Sequence, residues 1–91
     1  MEDNIMAEEI EFRYDTQLLI DGKDIDEDEL DEYIRGHFVG DSLLVIADED
    51  TAKLHFHTNE PWKILEYCAT LGEIYDIVVE DMIRQSRGEK G

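Results

Sequence analysis

Apolar and polar residues alternate strictly near the start of the chain: Ile10, Phe12 and Tyr14 interleave with Glu11, Arg13 and Asp15. A period of two is the pattern of a half-buried strand, because successive side chains point to opposite faces. The run continues through Leu18, Leu19 and Ile20 and stops at Asp21-Gly22, a turn dipeptide. From Asp24 to Phe38 the period changes. Leu30, Ile34 and Phe38 recur every fourth residue, giving one apolar stripe on a helix. Asp24 or Asp26 can cap that helix, and the acids after them favour the positive end of its dipole. Gly36 weakens the last turn and Gly40 helps to end it. Four adjacent aliphatics, Leu43 to Ile46, then suggest a strand over Asp41–Ala47 covered on both faces. Asp48-Glu49-Asp50 makes a short hairpin loop. Thr51 to Thr58 alternates again, with Ala52, Leu54 and Phe56 on one face and Lys53, His55 and His57 on the other.

Glu60-Pro61 opens a second helix, proline being tolerated in a first turn. Leu65, Cys68 and Ala69 form its expected buried stripe, Trp62 belonging either to that stripe or to an interface, and Gly72 ends the helix. Ile74 to Val79 reads as the last strand. The divisions expected are a flexible acidic leader over residues 1–9, one α+β domain over 10–82 and a flexible tail over 83–91.

The order β-α-β-β-α-β is that of the split βαβ, or ferredoxin-like, sandwich. Right-handed crossovers place strands one and three side by side in the centre of a four-stranded antiparallel sheet. Both helices then cover one face. The other face is open unless a partner covers it, and Leu19, Leu44 or Leu43, and Val78 or Val79 make part of it apolar. A bare apolar face invites pairing. The chain has only 91 residues, enough for one core, and association would add to a modest stability. A homodimer is therefore expected.

The formal charge of −17 repels phosphate backbones and anionic lipid surfaces, so neither nucleic acid nor a membrane is an expected partner. A basic protein surface or a metal ion is compatible with it, although acid that simply keeps a small domain in solution explains most of it. A lone cysteine, Cys68, forms no internal disulfide and gives no sign of an oxidising compartment. No apolar stretch is long enough to span a membrane, and no secretory leader pattern is visible. A cytoplasmic protein is expected.

His55-Phe56-His57 is the sharpest chemical feature. Two residues apart on a strand, the imidazoles share a face close enough to hold one ion or one substrate group. Two surface histidines without a joint role are the plain alternative. If strands one and three are neighbours, Asp15 can face the same side. Asp15, His55 and His57 would then form a three-ligand metal site with open positions, zinc being the first candidate, or an acid–base cluster, or a structural cluster in which the carboxylate pairs with a protonated histidine. Elsewhere the chemistry is thin. Asp24, Asp26 and Asp28 imitate a calcium loop, but Glu29 stands where glycine must turn the chain and Arg35 where a bidentate glutamate is needed. His37 suits a helix C-terminus, and Cys68 suits a core. No glycine-rich phosphate loop and no nucleophilic triad spacing is present, so no nucleotide site is expected in this chain and it is not a complete enzyme alone.

Lys53-Leu54-His55-Phe56-His57-Thr58-Asn59-Glu60-Pro61 resembles the K-x-H-x-H-T-N-[DE]-P segment in the middle domain of the kinase subunit of bacterial two-component fatty-acid kinases, the dihydroxyacetone-kinase-like, DegV-linked family. Gly40-Asp41-Ser42-Leu43-Leu44-Val45 is similar to its G-D-S-L-V-V, Lys63-Ile64-Leu65-Glu66-Tyr67 to its K-V-L-E-Y, and Tyr14-Asp15-Thr16-Gln17-Leu18-Leu19-Ile20 to its Y-C-T-E-F-L-I. Leu71-Gly72-Glu73-Ile74 and Val79-Glu80-Asp81-Met82 resemble the close of the domain. The resemblance runs from about Phe12 to Arg84. It implies a dimerisation and linker module between an ATP-binding kinase domain and a domain that docks a fatty-acid-binding partner protein. It also implies that His55 and His57 take part in phosphoryl transfer to an acyl carboxylate, together with the position of Asp15. Two departures stand out: Asp15 replaces the family's cysteine, and Trp62 replaces a small residue. A carboxylate can ligate a metal or orient a histidine, but cannot act as a thiolate. Two classes of function follow, a dimerisation and linker domain without catalysis, and a metal-binding or catalytic module acting in trans with a separate kinase subunit.

Overall fold

Strand β1 (Tyr14–Asp21) lies between β3 (Thr51–Thr58) and β4 (Glu73–Asp81), and β2 (Gly40–Ala47) forms the other edge, in the order β2-β3-β1-β4 with every pairing antiparallel. The computed structural model describes residues 10–91. Helices α1 (Glu27–His37) and α2 (Pro61–Ala69) connect the strands, and a short α3 (Met82–Ser86) follows β4. This is the ferredoxin-like α+β sandwich that the pattern predicts. The leader expected over residues 1–9 lies outside the described residues.

The core forms where the alternating strands meet the helical stripes. Thr16, Leu18 and Ile20 of β1 and Ala52, Leu54 and Phe56 of β3 are buried on the helix side. Leu30 and Ile34 of α1, Ile64 and Cys68 of α2, and Val45 of β2 close over them. Burial of each large aliphatic is worth about 1.5–3 kcal/mol. Burial pushes the Cys68 thiol up to about 12, so it is a packed apolar group and not a nucleophile. Gly72 is required by packing: a Cβ there would stand 2.3 Å from the Asp21 carbonyl oxygen.

Several boundaries and faces differ from expectation. The first strand starts at Tyr14, not Ile10, because its neighbours end there: Tyr14 pairs with Thr58, the last residue of β3, and with Asp81, the last of β4. Helix α1 starts at Glu27, with Asp26 as its cap through an Oδ1 that accepts from the Glu29 N–H at 2.9 Å. Asp24 has φ of 56° and belongs to the preceding turn, its N–H bonded to the Glu49 carbonyl. Strand β2 is not covered on both faces. It is an edge strand, and with both helices on one side of the sheet, Leu44 and Ile46 remain 53% and 52% exposed. In α2 the buried stripe is Pro61, Ile64 and Cys68; Ala69 and Trp62 are exposed, and Leu65 is partly covered. The spacing 61, 64, 68 is a single helical face, and Trp62 lies one residue, about 100°, off it. Residues 82–86, expected to trail off, form α3.

Both edge strands carry a bulge. Between Asp41 and Leu44, β2 has two residues opposite one of β3, and between Tyr75 and Val78, β4 has two opposite one of β1. Each bulge holds a residue with positive φ, Ser42 at 56° and Asp76 at 51°.

Arg13 and Asp81 clasp the two ends of the domain. The guanidinium donates from Nε and Nη2 at 2.7–2.9 Å, and Asp81 Oδ1 also accepts from the Ile83 and Arg84 N–H groups at 3.1 Å, capping α3. The Arg13 bond, opposed by partial burial and aided by the two N–H groups, holds the Asp81 carboxyl at about 2, below its ordinary 3.8. Because the folded value is the lower one, this contribution is complete above the unfolded value and is lost as pH falls through about 2. Asp81→Asn should therefore lower the urea midpoint at neutral pH, with the gap to the wild type narrowing steadily from about pH 5 to about pH 2. A pH-independent gap would refute the linkage.

Thr16 Oγ1 is fully buried and has no hydrogen-bond partner among the described residues. A lone buried hydroxyl is destabilising, because it leaves water and gains no bond. Thr16→Val, which keeps the shape, should stabilise the domain by about 1 kcal/mol and raise its thermal midpoint by about 4–8 °C. A lower midpoint would show that the hydroxyl is used.

Candidate metal site on the open sheet face

The period of two in β3 turns His55 and His57 to the side away from the helices, since Leu54 and Phe56 fill the core. The β1–β3 register sets Asp15 directly opposite His57 and Gln17 opposite His55. All three site residues are therefore on one face, as their spacing predicts, and they converge. His55 Nε2 lies 3.0 Å from His57 Nε2, Asp15 Oδ1 lies 3.4 Å from His55 Nε2, and it lies 3.9 Å from His57 Nε2. The side chains are 18–29% exposed, sheltered by the sheet yet open to solvent. Gln17 Nε2 approaches Asp15 Oδ1 at 3.5 Å, a long contact.

These distances form a triangle whose edges can be compared with a coordination sphere. Ligand bonds of about 2.0–2.1 Å in tetrahedral geometry place neighbouring donor atoms about 3.3 Å apart. The observed edges of 3.0, 3.4 and 3.9 Å bracket that value. Two imidazole nitrogens and a carboxylate oxygen suit a divalent cation, with positions left for water or substrate. The two Nε2 atoms, 3.0 Å apart, can share an N–H···N hydrogen bond or turn both lone pairs to one cation. The donor set fits a metal by distance and by chemistry. With a carboxylate oxygen beside two imidazole nitrogens, the set is open to several divalent ions.

A fourth residue, Asp41 of β2, is invisible to the sequence pattern. Its Oδ1 lies 3.6 Å from His57 Nδ1, the ring nitrogen facing away from the triangle. On the other flank, Glu80 of β4 is the register partner of Asp15. The remaining histidine takes no part. His37 stacks on Tyr33 with ring centroids 3.8 Å apart, and its Nδ1 lies 2.8 Å from the Tyr33 carbonyl oxygen near the end of α1.

The open face is divided along its length. Asp15, His55 and His57 occupy the end where β1 begins. Register places Leu44 and Val78 on the two flanks of the His55–Gln17 row, and Ile46, Lys53, Leu19 and Tyr75 in the row at the other end. Leu44, Ile46, Tyr75 and Val78 are all exposed. No helix among the described residues is long and apolar enough to cross a membrane.

Comparison with known proteins gives the family of the chain. YloV of Bacillus subtilis (strain 168) is 42% identical over 85 residues, which cover 87% of this chain and 15% of that protein. An uncharacterized protein of Staphylococcus aureus (strain USA300) is 37% identical over 87 residues, 91% of this chain and 16% of its own length. The chain thus spans only about a sixth of the curated relatives it matches. The sequence profile of the FakA-like middle domain of fatty acid kinase matches residues 11–89. That match takes in all four strands and both long helices, and the chain belongs to the family of FakA-like fatty acid kinase middle domains.

Proposed function

We propose that this chain is the metal-holding middle module of a fatty-acid kinase, with Asp15, His55 and His57 as the ligands of one divalent cation, zinc being the first candidate. The observation that carries the reading is the donor triangle of 3.0, 3.4 and 3.9 Å. A cation bound there would supply positive charge and an open coordination position to an anionic oxygen, such as that of a carboxylate or a phosphoryl group. The chain's own part is to hold two imidazoles and a carboxylate at fixed separation on a rigid sheet. The nucleotide belongs to a separate kinase domain or subunit in this reading, and the acyl chain to a fatty-acid-binding partner protein. The setting is the cytoplasm.

The apolar end of the same face supports a second role, pairing with another copy. Leu44, Ile46, Tyr75 and Val78 are exposed where the helices give no cover, and a two-fold contact would bury the same residues on both copies. Leu44 and Val78 flank the His55–Gln17 row, so a paired copy would lie beside the metal site and shelter it.

The metal reading is tested on the purified chain by elemental analysis and chelator competition. The wild type should retain about one zinc per chain. His55→Ala/His57→Ala should lose uptake by more than the roughly 10–100-fold that a supporting residue costs, with unchanged circular dichroism because neither residue is in the core. Uptake should weaken on acidification as protons compete for the imidazoles. Equal uptake by wild type and double variant would end this reading.

Pairing is tested by light scattering at micromolar concentration, where about twice 10.6 kDa is expected. Leu44→Glu/Ile46→Glu should return the mass to that of one chain. A wild-type monomer would exclude the pairing role.

A further inference from the structure

Asp41 reaches the histidines only because β2 breaks its own alternation. Val45 points into the core, and strict alternation backwards from it would send Leu43 and Asp41 to the core side as well. The observed register differs: Leu44 faces His55 and Asp41 faces His57, with Ser42 and Leu43 together opposite Phe56. The extra residue, taken up where Ser42 has φ of 56°, flips Asp41 onto the open face while Leu43 still packs against the core. Bulges that re-aim one side chain beside a functional site are a recognised device. Gly40 completes it. A Cβ at that position would lie 2.3 Å from the His57 carbonyl oxygen and 2.5 Å from Phe56 Cζ, so only glycine lets this end of β2 press against the His57 backbone.

We propose that Asp41 is a positioning residue: its carboxylate holds the proton of His57 on Nδ1, which leaves the Nε2 lone pair facing Asp15 and His55. The proposal rests on the metal reading for its purpose, but its geometry stands apart from it. A neutral imidazole carries one N–H, and the partner of one nitrogen decides which form the other takes. Asp41 Oδ1 stands 3.6 Å from Nδ1, and closing that gap to about 3 Å would let it accept that hydrogen. Its carboxylate is 57% exposed and has no other ion-pair partner among the described residues, unlike Asp31 with Arg35 or Asp81 with Arg13. It is also not a helix cap, as Asp26 is.

The test has two readouts on the full chain. Long-range nitrogen–proton NMR of the metal-free protein reports the His57 tautomer, and Co²⁺ titration by visible absorption reports affinity. The wild type should show the Nδ1–H form. Asp41→Ala, an exposed change on an edge strand, should shift His57 toward Nε2–H and weaken Co²⁺ binding about 10–100-fold. Asp41→Asn, which keeps an acceptor oxygen, should restore the tautomer and part of the affinity. An Asp41→Ala protein with wild-type tautomer overturns the proposal, whatever its affinity. If the wild type takes up no Co²⁺ while Asp41→Ala still shifts the tautomer, the metal reading fails and the positioning role is supported.

Discussion

Everything in this domain depends on the register of β1 against β3. Because side chains alternate along a strand, the pairing of Leu18 with Leu54 and of Ile20 with Ala52 assigns one face to the core, and the same pairing assigns Asp15 and His57 to the other. A slip of one residue would exchange the two sets, exposing the core aliphatics and burying carboxylate and imidazole together. The apolar side therefore enforces the polar side. The site needs no private scaffold; its precision comes from the hydrophobic burial behind it.

The ends of the two central strands are fixed by a small number of groups. At the point where β1 begins, Arg13 donates its backbone N–H to Asn59 Oδ1, accepts from the Met82 N–H through its carbonyl, and grips Asp81 with its guanidinium. Three stretches that are far apart in sequence meet beside the Asp15 end of the face. Charge-assisted bonds there are shorter and stronger than neutral ones, and they anchor the residue two positions before the candidate ligand.

Much of the site is legible in the sequence because it obeys simple periods. His55 and His57 on one side and Leu54 and Phe56 on the other are what an unbroken strand dictates, and the central place of β1 and β3 follows from right-handed crossovers. The features that mislead have physical reasons of their own. Leu43 to Ile46 looks like a strand covered on both faces, because hydrophobicity does not report whether the covering partner lies within the chain. The face of Asp41 is hidden by the bulge at Ser42, a non-glycine residue in a left-handed conformation that no local pattern announces. In α2 the stripe runs through Pro61, Ile64 and Cys68, which leaves Ala69 exposed and, of the two places open to Trp62, gives it the one outside the core.

The two bulges have a consequence for how copies of this fold can meet. An open sheet with free backbone groups along its edges is a template for further strands, and growth through such edges has no natural end. Here both outer strands are kinked by an inserted residue, at Ser42 on one side and Asp76 on the other. Neither rim offers a straight ladder, so stacking rim to rim into a ribbon is blocked at both sides. The proposed pairing would use the broad surface instead, and contact between two like surfaces is self-limiting: once joined, neither has an adhesive side left to offer. The inserted residues thereby oppose open-ended growth through the sheet edges.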